Sequence, residues 1–217
     1  MSDFNARRVM MVDTQVRPSD VTKFPVIDAM LSVPRENFVP RDRREAAYVD
    51  GNIPLANSRV LFEPRTMGKM LDALNLQNDE LVLDIGSGLG YSAALMAQIA
   101  EVVVALESDD ALSEETQAAL SDAGADNVIV QAGDLAAGVA EHGPYDVIAI
   151  EGGVETIPTE ILAQLKEGGR IAALFMSGAL GEMRVGHKID GRINWRLAFN
   201  ASAPVMPGFE KAREFAL

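Results

Sequence analysis

The chain has 217 residues, 48% apolar and 24% charged, a balance that suits one globular domain and excludes a disordered or fibrous chain. Its formal net charge of −13 disfavours a polyanionic partner, so no nucleic acid is expected to bind. With no cysteine there is neither a disulfide framework nor thiolate chemistry, which fits a reducing compartment.

At the N-terminus, Asp3, Arg7 and Arg8 precede an apolar run of only Val9 to Val12, too short for a secretion signal. Other apolar runs, such as 171–176, fall far below the roughly 18 residues of a membrane helix. A soluble cytoplasmic protein with no membrane partner is expected. Residues 1–60 read as an N-terminal helical segment packed on a core of residues 61–217, together one structural domain. Within that segment, Thr14-Gln-Val-Arg-Pro18 either covers an active site or hangs as a loose arm, and the role of Arg17 stays open. Arg35, Arg41, Arg43 and Arg44 interleave with Glu36, Asp42 and Glu45, which predicts a solvated, salt-bridged surface. Pro64 suits the first position of a helix. Met67, Met70, Leu71 and Leu74 follow at the spacing of one helical face, a pattern that predicts core packing.

From residue 81 the chain alternates short apolar runs with helical patterns. Strands are predicted at 81–85, 102–106, 127–131, 146–150 and 170–175, and helices at 91–100, 112–123 and 159–165. Continuous apolar strands suit a sheet covered on both faces, so an α/β fold follows: a Rossmann-like, doubly wound, mostly parallel sheet. Gly168-Gly169 reads as a helix stop. Near the C-terminus the period drops to two: Met183, Val185, His187 and Ile189, then Ile193, Trp195, Leu197 and Phe199. Asp190-Gly191 between them marks an antiparallel hairpin. A two-residue loop pairs Ile189 with Arg192 and sends the two apolar sets to opposite faces. A three-residue loop pairs Ile189 with Ile193 and His187 with Trp195, uniting them. The odd-length loop is therefore expected, with His187 packed on the apolar side.

The stretch Asp84-Ile-Gly86-Ser87-Gly88-Leu-Gly90-Tyr91, between a strand and a helix, carries the chemistry. Glycines there let the backbone turn tightly and approach a ligand. Their spacing departs from the G-x-G-x-x-G of dinucleotide folds, which disfavours a nicotinamide oxidoreductase. Acidic-x-G-x-G-x-G resembles motif I of the class I S-adenosylmethionine-dependent methyltransferases instead. Glu107, closing the second strand, has the position of a carboxylate that accepts both hydroxyls of a ribose. Gly133-Asp134-Leu135 follows the third strand at the position that in such enzymes lies beside adenine; the alternative for Asp134 is a turn or N-cap residue.

Three further stretches, Val26-Ile-Asp-Ala-Met30, Val33-Pro-Arg-Glu-Asn-Phe-Val-Pro40 and Ala47-Tyr-Val-Asp50, resemble the N-terminal signature of the protein-L-isoaspartate O-methyltransferases. Gly143-Pro-Tyr-Asp-Val-Ile148, Ile157-Pro158 and Gln164-Leu-Lys-Glu-Gly-Gly-Arg170 extend the likeness over about residues 20 to 175. The resemblance implies S-adenosylmethionine as cofactor, held by Asp84, Gly86, Ser87, Gly88, Gly90, Glu107, Asp134 and Leu135, with no metal. It also implies a carboxylate of a damaged protein or peptide as acceptor. A departure falls on the substrate side, where the family usually carries Ser-Ala-Pro-His and this chain reads Phe62-Glu63-Pro64-Arg65. Phe62 replaces a hydroxyl and Glu63 adds a negative charge. Arg65 either anchors the acceptor carboxylate or pairs with Glu63 or Asp72. Two other readings therefore stand beside the repair enzyme: methyl transfer to a different acceptor, and a non-catalytic cofactor-binding protein.

Overall fold

A computed structural model describes residues 3–55 and 59–212. It opens with helices α1 (Phe4–Met11) and α2 (Phe24–Ser32), followed by a small antiparallel ladder of β1 (Ile53–Pro54) and β2 (Val60–Leu61). Then come α3 (Pro64–Leu74), β3 (Leu81–Ile85), α4 (Tyr91–Ala97), β4 (Val102–Glu107), α5 (Asp110–Asp122) and β5 (Val128–Ala132). The chain continues through β6 (Tyr145–Val154), α6 (Thr159–Ala163), β7 (Leu165–Ser177), β8 (Leu180–Ile189) and β9 (Arg192–Ala201).

The seven-stranded sheet has the order β5-β4-β3-β6-β7-β8-β9, with β5 to β7 parallel and β8 and β9 antiparallel. Strand alternation sends Val82, Val103 and Ala105 into one apolar cluster, and Leu83, Val104 and Leu106 into another on the opposite face. Both faces are covered, which is why the strands read as unbroken apolar runs. The helical-face residues Met67, Met70, Leu71 and Leu74 of α3 are fully buried in the first cluster, while Ile161 of α6 joins the second. From β3 the chain steps to β4 on one side, and later to β6 on the other. A crevice at the carboxyl ends of these strands follows from that reversal.

The N-terminal segment is built into the first cluster. Val12 and Val16, in the π-helical turn Val12–Val16, are fully buried, and Val16 abuts Gly68 of α3. Residues 14–18 are thus anchored through Val16 rather than hanging as a loose arm, while Thr14, Arg17 and Pro18 are exposed and Arg17 pairs with Asp13 at 3.2 Å. Arg35 is no surface residue: it is fully buried, donating to the carbonyls of Ala47 (2.7 Å) and Phe62 (2.8 Å). Burial removes a guanidinium from water, and the two carbonyls with the Tyr91 ring, 4.8 Å away, replace part of its hydration, leaving Nη1 without a hydrogen-bond partner among the described residues. The surface reading holds for Arg43, beside Asp42, and for Arg44, which donates to Asn37.

Two sequence expectations fail near the C-terminus. Gly168 and Gly169 lie inside β7, since the last turn of α6 ends at Ala163, so they do not stop a helix. The hairpin loop has two residues, Asp190 and Gly191, with Ile189 opposite Arg192. Both loop residues have left-handed backbone (φ 53 and 71), the twist a two-residue hairpin requires, and Asp-Gly supplies it. His187 therefore faces Asn194, not Trp195, and Trp195 stacks on Gly186, where a side chain would collide with it. Trp195 and Ile193 pack on the second cluster, with Trp195 edge-on to Phe175, while Met183 and Val185 pack on the first. A register shift after Met183 then returns Phe199 to the face of Met183. The uniting device is a bulge, not the loop.

Candidate active site

Asp84 and Ile85 close β3, and residues 86–90 turn into α4. Gly86, Gly88 and Gly90 all have positive φ (81, 60 and 91), a backbone that only glycine adopts without strain. The loop is pinned from below: Gly86 N–H donates to Leu106 O (2.9 Å), and Thr116 Oγ donates to Gly88 O (2.7 Å). Asp84 is fully buried under it, with Oδ2 accepting from Ser92 Oγ at 2.7 Å. Burial pushes the Asp84 carboxyl up to about 7; Ser92 and Arg59 oppose the rise and Glu107 adds to it.

Glu107, at the end of β4, is also fully buried and reaches the loop directly, accepting from Gly88 N–H at 2.9 Å. Its other oxygen accepts from the N–H of Ser108 (2.8 Å) and Asp109 (3.2 Å), and forms an ion pair with Arg59 Nη1. Arg59 Nη2 donates to the carbonyl of Gly86. Three side chains thus lie over the glycines. A Cβ built on Gly88 stands 2.7 Å from Leu55, and one on Gly86 stands 3.1 Å from both Arg59 Nη2 and Met206 Sδ. Met206 is brought there because residues 204–206 pair with Gly153 at the end of β6.

Across the crevice, a bulge in β6 sets three residues, Ile150 to Gly152, opposite one of β7. It carries Glu151, which is buried at 4% exposure. Burial holds its carboxyl well above the usual range, Asp84 pushes the same way, and Arg59 and Arg35 oppose. Asp84 Oδ1, Ser87 Oγ and Glu151 Oε1 are buried without a hydrogen-bond partner among the described residues. Such atoms ask for a polar ligand. Asp134 is exposed and accepts from Ala136 N–H in a turn, and Leu135 is buried; beside them a cavity of about 240 Å³ opens between Gly133 and Gly138. The chemistry of these groups fits an adenosyl cofactor, with glycines for close approach and a buried acid for a diol. Arg59, Leu55 and Met206 must yield the space.

On the substrate side, Phe62 is fully buried in the first apolar cluster. Glu63 accepts from Thr66 Oγ (2.9 Å) and pairs with Arg65 at 3.3 Å, while Asp72 takes Lys23. Arg65 also donates to Asn200 O at 3.4 Å.

The family model for protein-L-isoaspartate (D-aspartate) O-methyltransferase matches residues 8–194. The chain belongs to this family. A protein-L-isoaspartate O-methyltransferase of Opitutus terrae is 36% identical over 164 residues, covering 76% of this chain and 70% of that one. Another, from Rhodopseudomonas palustris, is 38% identical over 170 residues, covering 78% and 69%. A solved protein-L-isoaspartate O-methyltransferase superposes with a TM-score of 0.76 at 25% identity, covering 95% of this chain and 67% of its own. The Plasmodium falciparum structure described as a protein-L-isoaspartate methyltransferase with S-adenosyl-L-homocysteine gives 0.80 over 96% of this chain and all of its own, and at 17% identity it speaks for the fold alone. As a member of the protein-L-isoaspartate O-methyltransferase family, the chain is a methyltransferase.

Sequence reasoning placed the glycines, Asp84 and Glu107 in one crevice, and the structure brings them together. It missed Arg59, Leu55, Met206 and Glu151. Glu151 left a trace, an acid directly after the apolar run 147–150. Arg59 left none, because residues 51–60 carry no period that orients it.

Proposed function

We propose that this member of the family is an S-adenosylmethionine-dependent O-methyltransferase acting on the isoaspartyl carboxylate of damaged proteins. One observation carries the donor assignment: a loop of three left-handed glycines, bonded through Gly88 N–H to the buried carboxylate of Glu107, lies at the switch point of a parallel sheet. Gly86, Ser87, Gly88 and Gly90 would border the amino-acid and ribose portion, Glu107 would take the ribose hydroxyls, and Asp134 and Leu135 would border adenine. Asp84, bonded to Ser92, braces the loop. The cofactor supplies an electrophilic methyl group. An acceptor carboxylate has a reference pKa near 4 and is ionised at neutral pH, so the chain needs no general base. Its contribution is alignment and exclusion of water, worth several kcal/mol. Residues 1–60 serve as a cap completing the core of residues 61–217.

A second reading, methyl transfer to a different acceptor, is favoured by the Phe62 segment. Phe62 offers no hydrogen bond, Arg65 is engaged by Glu63, and Glu63 repels an anion. Release of S-adenosylhomocysteine with isoaspartyl peptides, beside a panel of small acceptors, separates the two. Turnover with the panel alone would overturn the repair assignment. For the donor, S-adenosylhomocysteine should raise the melting temperature by mass action, and NAD should not. The reverse order would refute the donor assignment.

A further inference from the structure

Glu107 cannot serve two partners at once. Its carboxylate accepts three backbone N–H groups and the Arg59 guanidinium, which leaves no room for a ribose diol. Arg59 is 4% exposed and also bonds the carbonyl of Gly86, so it lies across the mouth of the glycine loop. A buried arginine displaced from a carboxylate needs a second anion nearby, because an unpaired guanidinium in such a place is strongly disfavoured. That anion exists. Glu151 presents a buried Oε1 with no partner among the described residues, as does Asp84 with Oδ1, and Met206 packs against both Gly86, beside Arg59, and Gly152, next to Glu151. Arg59 Nε is likewise unpartnered, so the side chain has a spare donor to offer there.

We propose that Arg59 competes with the cofactor for Glu107 and, when displaced, takes Glu151 as its alternative ion-pair partner. The proposal rests on the assignment of Glu107 to the ribose. It makes a prediction of unusual sign: removing a residue that lines the donor site should strengthen binding there. An arginine that merely supports the site gives the opposite result.

The test is calorimetric titration of S-adenosylhomocysteine into the wild-type chain, Arg59→Met and Glu151→Gln, with circular dichroism as a folding control. Arg59→Met, which keeps the length of the side chain and removes its charge, should bind at least tenfold more tightly than wild type. Glu151→Gln, which deprives Arg59 of its second seat, should bind several-fold more weakly. A folded Arg59→Met that binds equally or less tightly overturns the proposal and leaves the donor assignment standing. If Arg59→Met does not fold, Glu151→Gln decides: unchanged affinity overturns the proposal. Failure of all folded variants and the wild type to bind refutes the donor assignment itself, and the competition with it.

Discussion

Phe62 illustrates how a substitution in a motif acquires meaning from burial. The sequence places it where the family carries a serine, which suggests a lost hydrogen bond to substrate. In the fold its ring is fully buried in the main cluster and its carbonyl accepts from Arg35. Phe62→Ser should therefore cost about 3–5 kcal/mol of stability, as truncating a buried aromatic does. Urea denaturation with a change below about 1 kcal/mol would contradict that packing. At Gly88, φ is 60 and a Cβ would stand 2.7 Å from Leu55, so Gly88→Val strains the backbone and fills the donor space. Loss of S-adenosylhomocysteine binding by at least tenfold is expected in calorimetry; retained affinity would place the ligand elsewhere. Asp84 gives a pH signature. Its carboxyl rises from 3.8 to about 7 on folding, so between those values the folded state holds the proton and the unfolded state does not. Its contribution is complete below about pH 4 and lost as the pH rises through about 7. Asp72 and Asp146, whose carboxyls are lowered against Lys23 and Lys166, have the opposite sign and act on acidification instead. The stability of Asp84→Asn relative to wild type should rise between about pH 4 and 7, and a flat difference would show Asp84 ionised throughout.

Among the elements, the junction of α3 with the sheet depends on Arg170 of β7. Its guanidinium donates to the carbonyls of Leu74 and Asn75 at the end of α3, and to both oxygens of Glu80, at 2.6 and 2.8 Å. One planar fork thus satisfies carbonyls that the helix end leaves open and closes a salt bridge that is 13% exposed on each side. Arg170→Met should destabilise by about 3 kcal/mol, since Glu80 and the two carbonyls lose their donor together. A shift under 1 kcal/mol in the same denaturation experiment would show that water replaces the fork. The hairpin β8–β9 marks the limit of pattern reading at this level. Alternation along each strand was legible, and Asp190-Gly191 marked the turn. The choice of loop length assumed an unbroken ladder, and the bulge opposite Met183 removed that assumption. Loop geometry, not apolar parity, fixed the register.

For the molecule as a whole, the parallel sheet was readable because strands buried on both faces leave continuous apolar runs, and helices between them keep their period. Asp84, Glu107 and the glycines of the crevice were readable because each sits at or just past a strand end. What lies on top of them was not. Leu55, Arg59 and Met206 come from segments without period; the first two flank the β1–β2 ladder, and Met206 reaches the glycine loop through long-range pairing with Gly153. The pairing of Arg59 with Glu107 has a kinetic consequence. Under the proposed competition, Arg59 would weaken fresh and spent cofactor by the same factor, since both carry the same ribose. Preference between them is unchanged, while only molecules with Arg59 moved aside can take up either. The donor concentration for half-maximal rate and the product concentration that halves the rate move up together, so the enzyme would respond to the donor-to-product ratio at an unaltered set point.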